Sequence, residues 1–306
     1  MPNLPAQRRQ FLGITVGALA VFAVMRFLPT GTNLNHMDFR VTARNAIDFC
    51  DPLNPQFIPV VTVASPVTMT ITSIATPPAP GVEARFTVTL KTASGKPIAP
   101  EDLLIAHTRK LHLLIVDPWM DDYQHVHPAP GRRRGEWTFG FTPRREGRYR
   151  VFADFTPVAT GRGLYAFADV PVGRAGLPEG FTMVMQHDDT WSTERDGFRF
   201  ALTPAAPMRA SRPADLKFAI SRAGGGGVPL EPVMGAFAHL VAFDEARSGF
   251  AHLHPMEEDL TVRPDAAHPT LNFKITIPRA GRYVIWAQVK LAGREVFVPF
   301  WFEVAE

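Results

Sequence analysis

The chain has a single cysteine, Cys50, so no intrachain disulfide can brace it. It also lacks a surplus of charge. Of its 32 Lys and Arg, Arg8, Arg9 and Arg26 precede residue 29 with no acid among them, which leaves the rest balanced against 29 Asp and Glu. A neutral body offers no general attraction to phosphate backbones, and this removes the first argument for nucleic-acid binding. Helical periodicity is missing beyond the N-terminus. So are His-Glu-x-x-His, Gly-x-Ser-x-Gly and a dinucleotide fingerprint, leaving hydrolase and dehydrogenase readings without residues to carry them. At 306 residues with 46% hydrophobic content, the chain is long enough for one large or two ordinary domains that fold in water.

Arg8, Arg9, Gln10, Phe11 and Leu12 open an apolar run that stays free of charge until Arg26. Residues 1–28 read as an export leader, either a signal peptide or an N-terminal membrane anchor, and the paired arginines followed by x-Phe-Leu resemble a twin-arginine signal. In both cases the arginines hold the N-terminus inside and the body outside, in the periplasm or beyond the cell. Membrane association is expected through this segment alone.

After the leader, short runs of Val, Ile, Thr, Phe and Tyr alternate with Gly and Pro clusters, which predicts an all-β body. Six or seven strands fall in each half, so the expected architecture is two tandem immunoglobulin-like β-sandwiches at 61–173 and 180–306, with a linker from Gly173 to Gly180. Residues 29–60, with Pro52, Pro55 and Pro59, read as a connector or an edge strand. Gly224 to Gly227 read as a loose hairpin loop, Arg132 to Arg134 as a solvated hairpin tip and Cys50 as a small buried residue.

The halves repeat a histidine pattern. His112, Asp117, His125, His127 and Pro128 have the same spacing as His239, Asp244, His252, His254 and Pro255. Downstream, Pro143, Gly147, Tyr149 and Asp154 correspond to Pro278, Gly281, Tyr283 and Gln288, and His107 corresponds to Met234. Fixed spacing of this kind implies duplication of one domain. Alternate residues of an extended segment point the same way, so the two rings of His-x-His can converge on one ion. His112 and His239, amid apolar neighbours, need polar partners. Asp117 and Asp244 are candidates for outer acceptors or oxygen ligands, Asp154 joins the candidate set, and the first copy is the more complete of the two because Gln288 and Met234 break the pattern in the second. Three imidazoles suit copper, with zinc as the alternative, and Met183, Met185, His187, Met234 and Met256 add soft donors near the second copy. A purely structural role is the competing reading: the histidines would then satisfy one another or backbone carbonyls.

Pro232 to Val241, followed by His252-Leu253-His254-Pro255 and Pro278-Arg279-Ala280-Gly281-Arg282-Tyr283, resembles a family of exported bacterial proteins with Leu-Gly-Ala-x-x-His-Leu-Val and His-x-His-Pro motifs. Leu111 to Phe155 resembles the same pattern. The resemblance implies periplasmic copper or heavy-metal handling without a defined reaction. Three functions compete: a non-enzymatic exported metal-binding protein for copper; a membrane-tethered module for a periplasmic or membrane protein partner, with structural histidines; and a cupin-like oxygenase built on His252, His254 and Glu258. The last is weakened because position 131 is Gly and no histidine follows His268.

Overall fold

The computed structural model describes residues 4–27, 34–41, 55–74, 77–173 and 187–306. Two units are described separately. The first contains one helix, α1 (Leu4–Phe27), whose stretch Gln7–Met25 is long and apolar enough by length and composition to cross a membrane. The second, Leu34–Glu306, contains every strand found among the described residues.

The first repeat runs β1 (Val67–Ser73), β2 (Ala84–Thr92), β3 (His112–Val116), β4 (Tyr123–Val126), β5 (Ala129–Pro130), β6 (Glu136–Phe141), β7 (Gly147–Phe155) and β8 (Leu164–Val172). The second runs β9 (Ser192–Arg195), β10 (Phe198–Pro204), β11 (Pro213–Arg222), β12 (Leu230–Glu231), β13 (His239–Asp244), β14 (Phe250–Leu253), β15 (Thr270–Thr276), β16 (Gly281–Leu291) and β17 (Arg294–Val304). Each repeat is a pair of antiparallel sheets. In the first, β1-β2-β6-β5 faces β4-β3-β7-β8; in the second, β9-β10-β11-β15 faces a sheet in which β14, β13, β16 and β17 follow one another and β12 adds to β16. The body is all-β and immunoglobulin-like. Tyr149 and Tyr283 form the corresponding corners: the Tyr149 hydroxyl accepts from the Arg144 and Arg145 amides and donates to Asp122, and the Tyr283 hydroxyl donates to the Arg279 carbonyl.

Strand period explains where each side chain goes. On β3, Leu113 and Ile115 enter the first sandwich core, whereas Leu114 and Val116 face the other way. On β13, Leu240 and Ala242 enter the second core, and Val241 and Phe243 face out of it. These outward faces meet each other in a third apolar layer that also takes Phe152, Tyr123, Phe250, Val284, Trp286 and Trp301. Tyr123 packs on Phe243 and Trp286, and Phe152 packs on Phe243 and Phe250, at centroid distances of 5.3–6.0 Å. Being covered on both faces, β3 is buried throughout and β13 nearly so, which is why their sequences show no apolar-polar alternation. At one end of this layer Arg150 donates to the Arg247 carbonyl and Arg247 to the Arg148 carbonyl.

The strands holding the first histidine of each His-x-His pair, β4 and β14, are short and were not foreseen from the sequence, and neither were β5, β9 and β12; the others lie within a few residues of expectation. The linker from 174 onward, the expected strand Phe181 to His187 up to residue 186, and Cys50, Pro52, Met183 and Met185 lie outside the described residues. The expected connector is partly an edge segment. Phe57 donates to the Thr276 carbonyl, Ile58 and Phe250 exchange two backbone hydrogen bonds, and Val61 donates to the Ser248 carbonyl, so residues ahead of the first sandwich pair with the second. Ile58 and Val60 thereby join the interdomain layer.

Gly249 makes that pairing possible, since a Cβ there would lie 1.8 Å from the Ile58 carbonyl oxygen. Gly249→Ala should displace the segment and lower stability by about 1–3 kcal/mol. Gly227→Ala, where the nearest atom is 3.7 Å away, should change little. Urea unfolding of both variants checks this, and equal midpoints would show that the segment adds nothing.

Candidate metal centre

The same period that builds the interdomain layer places the histidines. His112 shares a face of β3 with Leu114 and Val116, His239 shares a face of β13 with Val241 and Phe243, His125 follows Tyr123 on β4 and His252 follows Phe250 on β14. His127 and His254 come next on those faces, just past the strand ends. All six rings therefore lie at one end of the layer between the sandwiches. His112, His125 and His239 are buried, and His252 has only 4% of its side chain exposed.

Two triads result, His112-His125-His127 and His239-His252-His254, each with ligand atoms within 4.8 Å of one another. In the first, His112 Nδ1 lies 3.1 Å from His125 Nε2 and 3.2 Å from His127 Nε2. In the second, His239 Nδ1 lies 3.4 Å from His252 Nε2. Nitrogens bound at ~2.0–2.1 Å to a tetrahedral ion are roughly 3.3–3.4 Å apart, so the rings already stand at ligand separation.

The other ring nitrogens fix the tautomers. His112 Nε2 donates to the Ala106 carbonyl and His239 Nε2 to the Val233 carbonyl, 3.0 Å in each case. These carbonyls belong to matching loops in which His107 and Thr108, and Met234 and Gly235, take positive φ. His125 Nδ1 donates to Gln288 Oε1 at 2.9 Å, and His252 Nδ1 donates to Asp154 Oδ2 at 3.0 Å. His112, His125, His239 and His252 therefore turn unprotonated nitrogens toward the triad centres. His254 Nε2 is buried with no hydrogen-bond partner among the described residues.

Burial keeps the rings neutral. It depresses His125, His252 and His254 well below the usual imidazole range, brings His127 to about 4 and brings His239 to about 3; neighbouring histidines add to the depression in each case. Burial raises Asp154, against the pull of His112 and His107.

The structure rearranges the candidate set. Asp117 and Asp244 do not belong to it: each lies five residues along its strand from the histidine, about 16 Å away in extended chain. Both act in turns instead. Asp117 accepts from the Asp121 and Asp122 amides, and Asp244 accepts from the Ser248 amide and hydroxyl. Asp154 pairs with His112 through the backbone, yet its carboxylate backs His252 of the other repeat, while Gln288 backs His125. The second copy is therefore not the poorer one, because the carboxylate serves it. His187 stacks on Trp301 near Asp121, away from the triads. Met256 and Glu258 are exposed and neither enters a triad, so the cupin-like set does not assemble. His107, which the pattern left out, is exposed and stacks on His254 with centroids 3.5 Å apart. The Ala106 and Val233 carbonyls had no signal in the sequence.

Fold and site together define a class: tandem immunoglobulin-like sandwiches whose interface carries paired three-histidine groups. The chain belongs to the family described as a domain of unknown function (DUF8832), whose model matches residues 62–170 and 193–306. No curated protein matches the sequence. Among solved structures it is similar to a putative membrane anchored protein from Corynebacterium diphtheriae, with 10% identity over 79% of this chain and 59% of that one and a TM-score of 0.25. It is also similar to the Escherichia coli adhesin FdeC, with 15% identity over 78% and 64% and a TM-score of 0.23. The chain thus spans roughly three-fifths of the length of each.

Neutral buried histidines make the stability of the metal-free protein pH-dependent. A ring held at about 3 when folded and near 6.5 when unfolded contributes stability that is complete above 6.5 and lost as pH falls. His239 alone should remove about 2 kcal/mol between pH 6.5 and 5. Asp117, raised to about 6 by burial, and Asp154 and Asp244, also raised, act in the opposite sense, but the triad histidines outnumber them. Urea midpoints of chelator-treated protein should fall across this window; midpoints that hold or rise would show that the rings are not neutral when folded.

Proposed function

We propose that this is an exported, N-terminally anchored or leader-directed metal-binding protein that holds copper in two histidine triads and carries out no turnover. The observation that carries the reading is the contact between His239 Nδ1 and His252 Nε2. Each of these rings gives its proton to another acceptor, so the two lone pairs face each other at 3.4 Å with no proton between them. A structural histidine network would place a hydrogen there. A cation supplies the missing attraction, and three neutral imidazoles are a donor set that copper takes ahead of the other divalent first-row ions.

The apolar helix α1 and the resemblance to exported bacterial proteins linked with copper handling support an extracytoplasmic location. When bound, the ion supplies Lewis acidity and, for copper, one-electron redox capacity. The chain's own part is to keep the rings neutral by burial, to orient His112, His239, His125 and His252 through Ala106, Val233, Gln288 and Asp154, and to cover the group with the sandwich interface.

Elemental analysis of the metal-loaded body should find two copper ions per chain. His112→Ala, His125→Ala and His127→Ala together should reduce that to one, as should the corresponding triple substitution in the second triad. Unchanged stoichiometry in both triple variants would end the copper-triad reading.

A further inference from the structure

The triads match in sequence and ring geometry but differ in what stands behind them. The exchange of outer partners across the interface sets the difference. Behind the second triad, His252 Nδ1–H meets the carboxylate of Asp154, whose side chain is 20% exposed. Behind the first, His125 Nδ1–H meets the amide oxygen of Gln288. That amide is held in one orientation because Gln288 Nε2 donates to Glu295 Oε2 at 2.7 Å, so the carboxylate behind His125 is one group further out, on an exposed residue. The second triad also has a neighbouring imidazole, His107, whose place in the other loop is taken by Met234.

We propose that the two triads are unequal sites of one paired centre, with the Asp154-backed second triad taking a divalent cation first and the Gln288-backed first triad taking it more weakly. This rests on the metal-binding reading above. A carboxylate behind a ligating imidazole makes the ring a better donor and offsets part of the ion's charge; an amide orients the ring and offsets none. The rings also meet across the interface. Centroids of His125 and His252 lie 5.3 Å apart, those of His112 and His252 5.7 Å and those of His125 and His239 6.2 Å. With ~2.0–2.1 Å metal–nitrogen bonds, two ions would lie within roughly 10 Å of each other. Their repulsion separates the binding steps further, and by itself it would do so even for identical sites.

The test therefore measures each triad alone. His112→Ala with His127→Ala leaves the second triad, and His239→Ala with His254→Ala leaves the first. Zn²⁺ affinity, read by competition with a chromophoric chelator, should be at least about tenfold tighter for the isolated second triad. In that background Asp154→Asn should weaken binding by about 10- to 100-fold, and in the other Gln288→Glu should tighten it. Equal affinities for the two isolated triads, or no effect of Asp154→Asn in a variant whose circular dichroism and melting are unchanged, would overturn the proposal. If the alanine variants do not fold, the two-step isotherm of the full chain decides: Gln288→Glu should narrow the gap between the steps, and an unchanged gap would overturn the inequality. Absence of Zn²⁺ and copper binding by the full chain would overturn the metal-binding reading itself, a result distinct from two equal sites.

Discussion

The packing of one outward sheet face of each sandwich against the other is the constraint on which the rest of the structure depends. An isolated repeat would expose Leu114, Val116, Tyr123 and Phe152, or Val241, Phe243, Phe250, Trp286 and Trp301, as a contiguous apolar patch, and patches of that kind are found covered. Covering each large side chain is worth about 1.5–3 kcal/mol, so the two faces are driven together by burial alone. The histidines go with them, because each lies on an outward face at the same end. Without the interface there would be two half-exposed groups of rings and no outer partners for His125 and His252.

The polar chemistry follows from that burial. Once the rings are enclosed, charging them is costly, so His112, His239, His125 and His252 each donate their single proton to a fixed acceptor: Ala106, Val233, Gln288 and Asp154 in turn. The remaining nitrogens have nowhere to turn except toward each other. The conversion of buried lone pairs into ligands needs only a cation, and the deprotonated state that a cation requires is already imposed by desolvation.

The sequence displayed the fold class and the six histidines, because strand runs, turn residues and a repeated spacing are local signals. It showed that Gly147-x-Tyr149 recurs as Gly281-x-Tyr283, but not that these tyrosines close corners. The third apolar layer was not legible. A strand buried on both faces, such as β3, loses the alternation that would reveal its second partner, and β4 and β14 are too short to register as runs. Asp117 and Asp244 misled for a related reason: shared spacing records shared ancestry, and each repeat conserves its turn as faithfully as its site. Asp154 and Gln288 were correctly paired as equivalents, but sequence position could not show that each reaches across to the other repeat.

That crossing explains how a duplicated domain can hold two different sites. The interface is pseudo-isologous: residue i of one repeat meets residue j of the other, and the equivalent of j meets the equivalent of i. In a dimer of identical chains, one residue type would have to back both triads, and any change would alter both at once. Within a single chain the two copies vary independently. Asp154 and Gln288 occupy equivalent positions on β7 and β16, beside His112 and His239 respectively, and each acts on the triad of the opposite repeat. One substitution is then enough to give the pair of sites different charge, while ring positions, interface packing and carbonyl caps stay common to both halves.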